Sequence, residues 1–122
     1  MASEVKGLER LWKAFFYSMA GFAAAWRFEA AFRQEVALSL VLFPAALWLA
    51  TTPLELALLI GSCLLVLVVE LLNSAVEALT DRVGSERHEL SGRAKDLGSA
   101  AVFLSLTLLG VVWAGVAVNR FS

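Results

Sequence analysis

Charge is scarce in this sequence. Of its 122 residues only 17% are Asp, Glu, Lys or Arg, against about a quarter in a soluble domain, and 60% are hydrophobic. Cysteine is scarcer still. Cys63 stands alone, which excludes a disulfide framework and a thiolate metal site. The first residues lack the uninterrupted apolar core of a signal peptide. Neither GxxxxGKS/T nor GxGxxG occurs, so the two common glycine-rich phosphate grips are excluded as well.

What the sequence does have is long uncharged runs, at 36–54, 56–69 and 97–119. A helix needs about 20 mostly apolar residues to cross a bilayer. The runs predict three transmembrane helices over roughly 30–52, 55–81 and 96–119, the second tolerating Glu70 and Glu77. The fold class is therefore an all-α membrane protein, one membrane-embedded domain over 1–122 with no room for a soluble one.

Basic residues orient it. Lys6, Arg10, Lys13, Arg27 and Arg33 precede the first span, and Arg82, Arg87, Arg93 and Lys95 lie in the connection at 82–95. The connection around Thr51, Thr52 and Pro53 has none. Basic loops stay cytoplasmic, which puts the N-terminus inside and the C-terminus outside, with Arg120 weakly opposed.

Segment 1–28 has a different pattern. Leu8, Trp12, Phe15, Met19, Phe22 and Trp26 recur at steps of three and four, one apolar face of a helix. Glu4, Glu9, Arg10, Lys13 and Tyr17 supply polarity elsewhere. Such a helix is expected to lie along the membrane interface.

The second span carries its own anomaly. Seven helical residues turn through about 700°, only ~20° short of two full turns, so Glu70 and Glu77 share one face with Asn73 and Ser74 between them. Asp81 continues the line, while Leu71, Leu72, Ala75, Val76 and Ala78 are apolar. An ionised group at bilayer depth costs on the order of 3 kcal/mol. The stripe must therefore face a cleft lined by protein and find partners or protons there. The connection that follows is rich in Arg, Lys, Ser and Gly, types that hold phosphate. Carboxylates for a divalent ion, cations for phosphates and a base for a hydroxyl are what phosphoryl transfer needs. Intramembrane glutamates also serve proton- or cation-coupled transport, or a purely structural network. Spans one and three, nearly bare of other polar groups, give transport little support.

Four stretches carry a resemblance: EAAFRQE at 29–35, ELLNSAVE at 70–77, DRVGSE at 81–86 and HELSGRAKDLGSAA at 88–101. Together they make the chain similar, over nearly its whole length, to the prokaryotic diacylglycerol kinases, small membrane-embedded lipid kinases. The related undecaprenol kinases share Glu70, Asn73 and Glu77, but EAAFRQE and Trp113 favour the diacylglycerol branch.

The resemblance implies transfer of the γ-phosphate of ATP, with Mg²⁺, to the primary hydroxyl of diacylglycerol, giving phosphatidate in a bacterial inner membrane. It implies a homotrimeric bundle with sites between protomers and no nucleic-acid partner. Small residues of the third span, among them Ser105, Gly110 and Gly115, suit close helix packing. Carried onto this sequence, Glu70 is the general base, assisted by Asn73, and Glu29 and Glu77 hold the metal. Arg10, Tyr17, Glu29, Glu77, Glu86, Arg87, His88, Lys95 and Asp96 contact the nucleotide. Arg10, Ala14, Ser18, Ala31, Phe32, Arg33, Gln34, Glu35, Trp48, Glu70, Ser99 and Trp113 line the lipid path. The chain departs from the family at 18–23, where SMAGFA replaces SWKGLR, and at Arg87, which replaces a tyrosine.

Overall fold

The computed structural model describes residues 2–83 and 89–122, with side chains from Lys6 onward. Four helices occur among them: α1 (Ala2–Phe28), α2 (Ala30–Leu49), α3 (Pro53–Val83) and α4 (Glu89–Phe121). The last three are long and apolar enough to cross a membrane. No strand occurs among the described residues.

Helices α1 and α2 are separated by a single residue. Glu29 takes an extended conformation (φ −116°, ψ 104°) and starts α2 without a side-chain cap of its own. Arg33, one turn into α2, reaches back and donates through Nη1 to the carbonyls of Trp26 (2.6 Å) and Arg27 (3.3 Å). The last carbonyls of a helix have no partner within it, and a cation there also meets the negative end of the helix dipole. Arg33 thus pins the joint.

The turn between α2 and α3 is built by local chemistry. Thr52 Oγ1 accepts from the Glu55 amide at 3.1 Å, and Pro53 takes the first helical position, where its missing N–H costs nothing. Glu55 Oε1 accepts from the amide (2.8 Å) and hydroxyl (2.6 Å) of Thr51. Its other oxygen takes the Asn119 amide at 2.7 Å, tying the end of α4 to the start of α3. Segment 89–95, expected as loop, is already helical: α4 opens at Glu89, which pairs with Arg93 one turn on at 3.7 Å.

Helix α3 is the centre of the bundle. Leu59, Ser62, Cys63, Val66, Glu70 and Asn73 are its buried residues, spaced by threes and fours along one seam against α4 and α2. The apolar core lies at one end of that seam, where Ala46, Leu49, Leu59 and Val116 meet. Toward the other end the seam turns polar. Outward faces keep large apolar side chains such as Leu40, Val41, Phe103 and Leu104 exposed, and only 28% of even the α3 span is buried within the chain. Surfaces of that kind suit lipid or neighbouring copies rather than water.

Candidate functional site

Glu70 and Asn73 are 5% and 9% exposed, so the polar stripe begins inside the seam, sheltered by the chain's own helices. One turn further, Glu77 is half-buried; its Oε1 accepts from Asn73 Nδ2 at 3.3 Å. Thr80 donates its hydroxyl to the Glu77 carbonyl at 3.0 Å. At the exposed end of the stripe Asp81 pairs with Lys95 of α4 across 2.7 Å.

Two further carboxylates come from the other side. Glu29 stands at the joint between α1 and α2, and Glu35 lies on α2 with Oε2 buried and without a hydrogen-bond partner. The charges of Glu29 and Glu77 act on Glu70, and that of Glu70 acts on Glu35. Among the described residues the two ion pairs, Arg93–Glu89 and Lys95–Asp81, involve none of these four carboxylates. Negative charge is gathered there, and among the described residues Lys95, already paired with Asp81, is the cation whose charge reaches it, through Glu77. That arrangement calls for protons or for a bound cation.

Magnesium fits the donor chemistry, being a hard cation that takes carboxylate oxygens and completes its shell with water and phosphate. Among the described residues no three His, Cys, Asp or Glu side chains are close enough to enclose a metal alone. A metal held here would need further ligands from outside these side chains.

Beside the carboxylates, α1 and α3 diverge and leave a cavity of 560 Å³. Phe22, Ala25 and Phe28 line it from α1, Leu71, Ala75 and Ala78 from α3, and Glu29 supplies a charge at its wall. Ser18 and Ser74 add hydroxyls. The cavity has the dimensions of a ligand cleft and the apolar lining of one that takes an acyl chain. Leu71, Ala75 and Ala78 read in the sequence merely as the apolar side of the stripe, because the cleft exists only once α1 folds back.

The other expected residues are distributed more widely. Ser18 lines the cleft and donates its hydroxyl to the Ala14 carbonyl at 2.8 Å, so Ala14 contributes backbone. Arg10 and Tyr17 are exposed on α1, as are Ala31 and Gln34 on α2 and Asp96 and Ser99 on α4. Phe32 is buried. Arg33 caps the α1 carbonyls. Trp48 lies at the opposite end of the bundle, against Phe121 and under the Arg120 guanidinium, and Trp113 packs on the apolar core there. Trp48 lies nineteen positions beyond Glu29, about 28 Å along the helix axis. Those tryptophans are therefore not gathered with the carboxylates within one chain. Glu86, Arg87 and His88 lie outside the described residues.

Gly98 belongs beside these residues, although the family resemblance gives it no role. A Cβ built on Gly98 of α4 would overlap Asn73 Oδ1 and come within 3.2 Å of Asn73 Cγ. A glycine inside a long helix, with no turn to make, was the available sign of close backbone approach.

Comparison with known proteins gives a consistent result. Residues 16–117 match the family described as prokaryotic diacylglycerol kinase. A diacylglycerol kinase of Pseudomonas aeruginosa is 57% identical over 90% of this chain and 89% of its own length. One of Haemophilus influenzae is 51% identical over 90% and 93%, and one of Escherichia coli 50% identical over 93% of both chains.

Proposed function

The chain belongs to the prokaryotic diacylglycerol kinase family, and from that premise we propose that it moves the γ-phosphate of ATP to the primary hydroxyl of diacylglycerol. The products are phosphatidate and ADP. The reaction takes place at the cytoplasmic face of a bacterial inner membrane, with the N-terminus inside and the C-terminus in the periplasm. Three copies form the working unit and cover the open faces of one another's α1–α3 clefts. The observation that carries this reading is the buried Glu70 with the charges of Glu29, Glu35 and Glu77 about it, none of the four in an ion pair among the described residues, beside an apolar cleft.

Each residue then has a chemical task. An acyl chain of the acceptor enters between Phe22, Phe28, Leu71 and Ala75 and brings the hydroxyl toward the carboxylates. Glu70 takes the hydroxyl proton as the oxygen attacks the γ-phosphorus. The bond from that phosphorus to the β–γ bridging oxygen breaks, and ADP leaves with the electron pair. Asn73 holds Glu77 in place. Glu29 and Glu77 would hold Mg²⁺, which when bound would offset the negative charge of the triphosphate. Lys95 exchanges Asp81 for a phosphate oxygen. Arg10, Tyr17, Glu86, Arg87, His88 and Asp96 face the rest of the nucleotide.

Purified protein in lipid, given radiolabelled ATP with diacylglycerol and undecaprenol in competition, tests the assignment. Label is expected in phosphatidate. Preferential labelling of undecaprenol would move the chain to the polyprenol acceptor, and no labelled lipid would reject the kinase.

A further inference from the structure

We propose that Gly98 is a positioning residue for phosphoryl transfer, because its missing side chain fixes the orientation of the Asn73 carboxamide. The proposal rests on the kinase reading above and adds a residue to its machinery. The orientation of the amide follows from its neighbours. Asn73 Nδ2 faces Glu77 Oε1 at 3.3 Å, and an ionised carboxylate, as a metal-holding Glu77 must be, only accepts, which puts the nitrogen on that side. The carbonyl oxygen is thereby turned to α4, where it is buried without a conventional partner. It meets Gly98, at the place where any other residue would carry its Cβ. The glycine hydrogen pointing there makes a C–H···O contact, a recurring feature of tightly packed helices.

The consequence of adding a methyl is specific. Of the three atoms nearest that Cβ all belong to the Asn73 side chain, and none to the backbone of α3. The least costly relief is rotation of Asn73, which frees the helices from strain but breaks the bond to Glu77. Glycines elsewhere on the same helix differ. A Cβ at Gly110 or Gly115 meets nothing within 4 Å, and alanine is the better helix former. A methyl at Gly98 should therefore disable chemistry, while one at Gly110 should not.

Four variants decide it: Gly98→Ala, Gly110→Ala, Asn73→Ala and the double Gly98→Ala/Asn73→Ala. With Gly98→Ala, kcat for diacylglycerol should fall at least about tenfold with the KM for ATP and lipid within about twofold, as expected when an aligned hydrogen bond is lost. The ¹⁵N side-chain amide resonance of Asn73 in micelles should move in Gly98→Ala and stay in Gly110→Ala. The double variant should melt no lower than Asn73→Ala alone, because the overlap is gone. Wild-type turnover in Gly98→Ala, or an unmoved Asn73 resonance, overturns the proposal. A wild type that phosphorylates no lipid alcohol overturns the kinase reading itself, a result distinct from an active wild type with an active Gly98→Ala. If Gly98→Ala alone yields no folded protein, recovery in the double variant supports the contact, and continued failure overturns it.

Discussion

Lys95 on α4 holds Asp81 on α3 across 2.7 Å, in the ion pair that joins these two helices among the described residues. Both side chains are largely exposed, so the pair adds little to stability. Its interest lies in competition: the cation proposed to meet the triphosphate is already bound to a carboxylate. On the proposed reading, Asp81 is the resting partner that ATP displaces from Lys95. Asp81→Asn should therefore lower the KM for ATP, by about two- to fivefold for an exposed competitor of this kind, with little change in melting temperature. Lys95→Met should raise it. Initial rates against ATP concentration measure both, and an Asp81→Asn variant with a raised KM would show that Asp81 serves the nucleotide directly.

Glu70 is the deepest carboxylate of the stripe, and among the described residues it forms no ion pair. Replacing it with Gln keeps volume and hydrogen bonding while removing the basic oxygen and its repulsion of Glu35, Glu29 and Glu77. The variant should fold at least as well as wild type. Turnover should fall by about 10²–10⁴, the usual contribution of a positioned base. Melting temperature and single-turnover rate, measured on one preparation, separate the two effects. Turnover equal to wild type would remove Glu70 from the chemistry.

Much of this was legible in the sequence, for identifiable reasons. Uncharged runs and helical spacing are properties of one segment, so the three spans, the amphipathic α1 and the shared face of Glu70, Asn73 and Glu77 could be read directly. What could not be read depends on two segments meeting. The α1–α3 cleft needs the one-residue joint at Glu29, and the joint needs Arg33 folded back on Trp26 and Arg27. Arg33, placed on the lipid path by the family resemblance, also caps the α1 carbonyls, a role visible only in the fold. Gly98 matters solely through Asn73 on another helix. The protein-lined surroundings that the stripe demands are supplied to Glu70 and Asn73 already by the helices of the same chain, which one segment alone cannot show.

The cleft itself predicts a chain-length effect. Ala75 and Ala78 line the same 560 Å³ space as Phe22 and Phe28, so on the proposed reading each methylene added there competes with acyl chain. Ala78→Leu should raise the KM for long-chain diacylglycerol about tenfold, equivalent to losing one or two buried methylenes, and leave kcat for a short-chain acceptor near wild type. Kinetics with a series of acyl lengths measure this. An equal loss at every length would mean that the acceptor does not use this cleft.

The opposite end of the bundle supplies the contrasting case. Glu55 joins the Thr51 hydroxyl, the α3 N-terminus and Asn119 of α4 in one network, at the end of the seam away from Glu70. Its removal leaves the Thr51 amide and the Asn119 carboxamide without their acceptor, and unties the end of α4 from the start of α3. Nothing in that network touches the carboxylates around Glu70. Glu55→Ala should therefore lower the melting temperature by several degrees, Asn119→Ala by less, since the latter removes one bond of the set. Once folded, both variants should turn over at the wild-type rate with unchanged KM for ATP and lipid. Thermal denaturation in detergent beside initial rates makes the comparison, and a loss of kcat in folded Glu55→Ala would mean that the two ends of α3 are coupled through the seam.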